Sequence, residues 1–139
     1  MEVINKKARS EFEFLERFEA GIVLTGAEVK AIRQGKVNLN ESYARFMSGE
    51  LFLVNMQIEG GTGDSSRSRK LLMRKGEIVS LGTKVEQQKL TIIPLKLYNS
   101  DPHIKVELAL ARRLKNYQKR DKLKGKDLDR EAERELKVH

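Results

Sequence analysis

Acid–base and nucleophilic chemistry at neutral pH draws first on histidine and cysteine, whose proton equilibria lie nearest pH 7. This chain offers two histidines, His103 in a turn-forming stretch and His139 at the last position, and no cysteine. No buried histidine–carboxylate pair is suggested, and the missing thiols remove a disulfide framework, a thiolate zinc site and a cysteine nucleophile together. HExxH, GxSxG and GxxxxGK[ST] are all absent. Gly60-Gly61-Thr62-Gly63 resembles a phosphate cradle on the surface, but no Lys-Ser or Lys-Thr follows it. With Asp64-Ser65-Ser66 it reads as a flexible surface loop. Glu19, Glu28 and Asp64 are candidates for a nuclease-type metal cluster, yet their spacing does not support one. Glu28 fits a helix cap instead, and Glu19 fits the solvated side of a strand. The reading is of a chain with no enzymatic chemistry, no cofactor and no metal.

The positive signal is cationic. Lys and Arg number 28 against 20 Asp and Glu, a net charge of +8, which points to a polyanionic partner. The cations fall into four groups: Lys6, Lys7 and Arg9; Lys30, Arg33 and Lys36; Arg67, Arg69, Lys70 and Arg74; and the C-terminal tail. With strands expected ahead of any groove-filling helix, this favours RNA or single-stranded nucleic acid on a small barrel over duplex DNA. Aromatic residues are few, with no Trp, 3 Tyr and 5 Phe, so no broad stacking platform is expected.

The elements that must carry these groups can be read from periodicity. Residues through Arg9 read as a basic arm. Phe12 onward reads as a strand running into Gly21-Ile22-Val23-Leu24. Thr25-Gly26-Ala27-Glu28 predicts a capping box, then a short helix with Val29 and Ile32 buried, Lys30 and Arg33 solvated, and Gly35 as its stop. Ser48-Gly49-Glu50 predicts a hairpin tip between Tyr43–Met47 and Leu51–Ile58. Arg69 to Met73 reads as a strand and Glu77 to Gln88 as a helix. Leu90 to Tyr98 reads as a strand that Pro94 confines to an edge or a bulge. Asn99-Ser100-Asp101-Pro102 predicts a turn, and Ile104, Val106, Leu108 and Leu110 alternate as in a half-buried strand.

From Arg112 onward the character changes: 11 Lys or Arg against 6 Asp or Glu, with few apolar residues. The expected organisation is therefore a core domain over 1–111 and a basic, helix-prone tail over 112–139, disordered when free, whose Leu128, Ala132 and Leu136 form a narrow stripe. The longest apolar runs fall far short of the ~20 residues of a membrane span. A cytoplasmic monomer is expected.

Four stretches carry a family resemblance: Asn5-Lys6-Lys7-Ala8-Arg9; Phe18-Glu19-Ala20-Gly21-Ile22-Val23-Leu24-Thr25-Gly26-Ala27-Glu28-Val29-Lys30; Asn38-Leu39-Asn40-Glu41-Ser42-Tyr43-Ala44; and Lys105-Val106-Glu107-Leu108-Ala109-Leu110-Ala111. The chain resembles the SsrA-binding protein family, small protein B, from Asn5 to about Arg134. The resemblance implies a mainly β, oligonucleotide-binding (OB)-type closed barrel with short flanking helices. It also implies a role in trans-translation, in which the protein binds the transfer-RNA-like part of transfer-messenger RNA, supports its aminoacylation and delivers it to the A site of stalled ribosomes. Elongation factor Tu and alanyl-tRNA synthetase would be partners through the RNA. Carried over by position, Asn5, Lys6, Lys7, Arg9, Glu19, Lys30, Arg33, Lys36, Asn38, Lys70 and Leu71 are expected at the RNA face. Tyr117, Lys119, Arg120, Lys122 and Lys124 of the tail are expected at the decoding region and empty messenger channel of the small ribosomal subunit. Gln118-Lys119-Arg120 stands where the family usually has Asp-Lys-Arg, and the loop before Arg67 is shorter than usual.

Two other readings compete. A generic barrel for single-stranded or ribosomal RNA shares the composition, and would not prefer a folded transfer-RNA-like elbow. An RNA-processing enzyme would require Glu19 or Glu28 to hold a metal.

Overall fold

The computed structural model describes residues 1–59 and 67–115. Their elements are β1 (Glu2–Ile4), α1 (Ala8–Glu11), β2 (Phe12–Ile22), α2 (Gly26–Arg33), β3 (Val37–Asn38), β4 (Tyr43–Met47), β5 (Glu50–Val54), β6 (Gln57–Ile58), β7 (Arg69–Leu72), α3 (Lys75–Gln88), β8 (Thr91–Ser100) and β9 (His103–Arg113). The protein is mainly β, as expected. Strands β8, β4, β5, β7, β2 and β9 pair in that order, and β9 pairs back onto β8 to close a ring; β1 joins the free edge of β8, and β3 and β6 form a separate pair. All pairings are antiparallel.

The period-two pattern of β9 fixes its orientation. Ile104, Val106, Leu108 and Leu110 are buried inside the ring, where they meet Leu51, Leu53, Ile92 and Leu97. The alternation expected a solvated opposite face, and this holds for Lys105 and Glu107. It fails for Ala109 and Ala111, which are buried outside the ring with Ala8, Phe12, Ile93 and Leu95. The physical reason is α1: the N-terminal segment, expected as an arm, forms β1 on β8 and then a helical turn that covers this part of the sheet. Small alanines on β9 leave room for it. Pairing also runs past Ala111, to Arg113 opposite Phe12, and the Leu114 N–H donates to Glu11 O at 2.9 Å.

Both neighbours of β9 carry one extra residue, Leu15 in β2 and Leu95 in β8. Such bulges bend and twist a strand and help a ring to close. Pro94 sits at the second bulge. On its outer edge, β4 contacts β8 at Ile92 and β1 begins at Lys96. Asn5 closes that gap, donating its Nδ2 to Pro94 O at 2.9 Å and its backbone N–H to Leu95 O at 2.8 Å.

The predicted turns form as their chemistry requires. Ser48 and Gly49 both take positive φ, at 51° and 75°, the two-residue geometry that matches strand twist. Helix α2 has the full capping box between Thr25 and Glu28. It ends in a Schellman motif, with Gly35 at φ 75° and bonds from Gly35 to Ile32 O and from Lys36 to Ala31 O. Helix α3 begins at Lys75, two residues before the periodicity suggests, and buries Ile78 and Leu81.

Candidate nucleic-acid interface

Outside the ring, side-chain parity aligns polar residues of three adjacent strands. Along β2 the outward positions include Arg17 and Glu19, along β9 Lys105 and Glu107, and along β8 Lys96 and Tyr98, with Glu19 opposite Glu107 and Tyr98 opposite Lys105. These groups are cross-linked. Lys105 Nζ lies 3.6 Å from Glu19, Arg17 3.7 Å from Glu107, and Lys96 3.9 Å from Glu107 and 3.3 Å from Glu2. The Tyr98 hydroxyl donates to Glu19 Oε2. That hydrogen bond, followed by the nearby Lys105 charge, holds the Glu19 carboxyl below the usual carboxylate range, while burial and then the Glu19 carboxylate push Tyr98 up to about 12. Glu19 is therefore an ionised acceptor held in place by neighbours, though it is solvent-exposed.

Beside it the sheet has a gap. Gly21 contributes no side chain, and a groove of about 570 Å³ runs over it, bordered by Glu19, Lys105, Leu72, Arg74 and Glu77. A Cβ at Gly21 would stand 3.2 Å from the Leu72 Cβ, so the glycine makes room for the Leu72 side chain beside it and leaves the groove floor without a side chain of its own. Arg74 is the N-cap residue of α3 and borders the groove. Chemically the groove combines two carboxylates, of which Glu19 is fixed by its neighbours, two cations, an apolar side chain and a stretch of backbone without a side chain. That set suits a base edge together with its sugar-phosphate.

The expected RNA-face residues divide around this centre. Arg33 donates to Pro102 O at 3.1 Å, tying the end of α2 to the turn of the β8–β9 hairpin that carries Tyr98 and Lys105. Lys30 lies one helical turn away on the same exposed face. Arg9, exposed on α1, borders a shallow depression with Arg17 and Lys96. Lys6 is exposed, and Lys7 pairs with Glu41 at 3.2 Å. Lys36 follows α2, and the Asn38 side chain accepts from Asn40 N at 2.8 Å in a local turn. These last groups lie toward the N-terminal segment and the loop after α2 and are not brought to the groove.

Three expectations are corrected. Leu71 is 1% exposed, inside the ring; strand parity sends Lys70 and Leu72 outward, and Leu72, 53% exposed, is the apolar residue at the groove. Lys70, outward like Leu72, pairs with Glu50 of the β4–β5 hairpin at 3.0 Å. Arg69, grouped with the solvated cations by sequence, is 0% exposed. It donates to Glu28 Oε2 at 2.6 Å and to the carbonyls of Met56 and Arg67, and Arg67 also donates to Glu28. Glu28, with its second role in the cap, is held at about 2 by the Thr25 backbone and the two arginines against the opposing cost of burial. Asn5 is buried, at 7% exposure, and acts as the stitch at Pro94. Tyr117, Lys119, Arg120, Lys122 and Lys124 lie outside the described residues, as does Asp64.

Leu72, Tyr98 and Lys105 were not among the RNA-face residues expected from sequence, and Arg74 appeared there only as a member of a cationic group. The available signal was Gly21, an isolated glycine inside a strand, read with the parity of its neighbours. Among the described residues no three His, Asp or Glu side chains gather around a metal position, and no helix there is long and apolar enough to cross a membrane.

Comparison with known proteins agrees with the pattern of residues. The family model described as "SmpB protein" matches residues 2–138. An SsrA-binding protein of Solidesulfovibrio magneticus is 45% identical over 142 residues, covering 98% of this chain and 92% of the relative. That of Desulforudis audaxviator is 49% identical over 138 residues, covering 95% and 88%. A solved structure described as "tmRNA-SmpB: a journey to the center of the bacterial ribosome" has a TM-score of 0.68 and 41% identity, covering 88% of this chain and 94% of its own. The chain belongs to the SmpB family of SsrA-binding proteins.

Proposed function

We propose that this chain is the RNA-binding adaptor of trans-translation, holding transfer-messenger RNA by its transfer-RNA-like part at the groove over Gly21. The observation that carries the placement is the groove itself, where a preorganised carboxylate, two cations and an exposed leucine meet at the one side-chain gap of β2. Glu19 accepts from the N–H groups of a base edge, a charge-assisted contact that gives sequence or shape preference. Lys105 and Arg74 take phosphates, Leu72 packs on a base or sugar, and Arg33 and Lys30 extend the cationic surface along α2. Family membership and the description of the solved neighbour support the RNA and the ribosome as partners.

The finer steps of the reading rest on sequence. The basic tail, with Tyr117, Lys119, Arg120, Lys122 and Lys124, enters the decoding region and the vacant messenger channel, and gains a helix there because it has no core of its own. The RNA is aminoacylated and reaches the A site with elongation factor Tu while the ring remains on its transfer-RNA-like part.

The test is a salt series of binding to the transfer-RNA-like domain against an unstructured RNA of equal length. A preference of ~10³ or more at physiological salt is expected. Glu19→Gln should reduce that preference by about 1–3 kcal/mol, and Lys105→Ala should lower the salt slope by about one. Equal, steeply salt-dependent binding of both RNAs would leave only a generic basic ring.

A further inference from the structure

Glu19 and Tyr98 stand on strands that are not neighbours along this face. β9 runs between β2 and β8, with Glu107 opposite Glu19 on one side and Lys105 opposite Tyr98 on the other. The backbones that carry the two side chains are thus about 9–10 Å apart, twice the strand spacing. A phenol is long enough to bring a neutral donor across that distance, whereas a serine or threonine hydroxyl is not.

Carboxylates facing each other across paired strands repel, and here separate partners hold each of them. Glu107 has Arg17 at 3.7 Å and Lys96 at 3.9 Å; Glu19 has Lys105 at 3.6 Å and the Tyr98 hydroxyl. The Lys96 ammonium also lies 5.6 Å from the centroid of the Tyr98 ring, which steadies the phenol from its own strand. Lys105, at a distance long for a hydrogen bond, attracts the Glu19 carboxylate as a point charge and does little to orient it. The hydroxyl, donating to Oε2, supplies the directional contact.

A carboxylate held this way accepts and never donates, and after one bond to Oε2 both oxygens retain room for another. Among the four RNA bases, guanine alone sets two N–H groups side by side on its pairing edge, N1–H and N2–H, matching the two oxygens. Adenine and cytosine set one amino group beside a ring-nitrogen acceptor. Uracil sets one N–H between two carbonyls. Each of these three turns a lone pair toward the carboxylate, which disfavours it.

We propose that Tyr98 is a positioning and specificity-determining residue, whose hydroxyl orients Glu19 so that its two oxygens meet N1–H and N2–H of one unpaired guanine of the RNA. Glu19 touches the base, and Tyr98 acts through it. The assignment rests on the groove being the RNA site.

The experiment titrates the transfer-RNA-like domain into wild type, Tyr98→Phe, Glu19→Ala and the double variant, read by anisotropy. Tyr98→Phe keeps the ring and its place beside Lys96, and should weaken binding ~5-fold or more. The double variant should stay within ~2-fold of Glu19→Ala, because no carboxylate is left to orient. A merely structural Tyr98 would add its full loss on either background. Nuclear magnetic resonance titrations with GMP and with inosine monophosphate, which lacks the 2-amino group, read the base directly. In wild type GMP should shift the Gly21 and Lys105 amides with ~5-fold or more higher affinity than inosine monophosphate, and in Tyr98→Phe the two should agree within ~2-fold. Undiminished binding of the transfer-RNA-like domain by Glu19→Ala would refute the groove as the RNA site, and the role of Tyr98 with it. A loss in Glu19→Ala with none in Tyr98→Phe, or losses that add in full, would leave the groove standing and overturn the role of Tyr98. Equal affinity of wild type for the two nucleotides would overturn the assignment to guanine.

Discussion

Replacing Glu28 by Gln removes one charge from the most buried ion cluster described here. Arg69 has no exposure and donates to Glu28 at 2.6 Å, so its guanidinium would keep its carbonyl partners but lose the Glu28 charge. Breaking such a pair from one side costs about 3–5 kcal/mol. The Gln oxygen preserves part of the hydrogen bonding and the cap, which places the expected loss near the lower end, roughly 3 kcal/mol. For a domain of this size that is a fall in Tm of about 12 °C. The depressed Glu28 carboxyl expresses the same interaction as a dependence on pH. A carboxyl held at about 2 instead of 4.5 contributes stability above pH 4.5 that fades as pH falls toward 2, again roughly 3 kcal/mol in all. Thermal melts by circular dichroism from pH 7 to 2.5 should therefore show a gap between wild type and Glu28→Gln that narrows through this window. Adding Arg69→Met should restore most of the loss, because the uncompensated cation is gone. A Tm change below ~3 °C at pH 7, or two acid profiles that stay parallel, would refute the argument that the charge pair holds α2 to β7.

Neighbouring leucines give a cleaner separation of core from surface. Leu71→Ala should cost about 2–5 kcal/mol of stability, whereas Leu72→Ala should stay within about 0.5 kcal/mol and weaken the RNA complex; chemical denaturation and filter binding check the two halves. Gly21→Ala should fold, since its φ is not in the left-handed range, but its methyl crowds Leu72 and should reduce RNA affinity ~5-fold or more, measured by anisotropy. Lys119→Ala combined with Arg120→Ala should leave affinity for isolated transfer-messenger RNA nearly unchanged while impairing peptide tagging on stalled ribosomes in a reconstituted assay.

What could be read from sequence was local chemistry. The capping box at Thr25, the Gly35 stop, the Ser48-Gly49 turn, the Pro94 bulge and the alternation in β9 all depend on residues within a few positions of each other, and each formed. What could not be read depends on pairing across the chain. Leu71 and Leu72 are equivalent in composition, and only the register of β7 against β2 decides which meets solvent. Arg69 looks like its neighbours Arg67 and Lys70 until a carboxylate 41 residues away takes it inside. The N-terminal segment read as an arm because its three strand residues find their partner at the other end of the chain, on β8. Glu19 was placed correctly on the solvated side of its strand, but the groups that give it meaning, Tyr98 and Lys105, arrive only through closure of the ring.

That closure has a narrow point. Strands β2 and β7 share only two paired positions, Gly21 with Leu72 and Ile22 with Leu71, followed by the Val23 N–H to Lys70 O bond at 2.9 Å. The proposed groove lies across this seam, and a strand of RNA seated there would act as a clasp. By mass action, ligand at 100 times its dissociation constant adds about 2.7 kcal/mol against any opening that destroys the site. The Val23 amide should therefore exchange its hydrogen more slowly in the complex, and the RNA-free protein should be the form in which the ring opens first at its recognition surface.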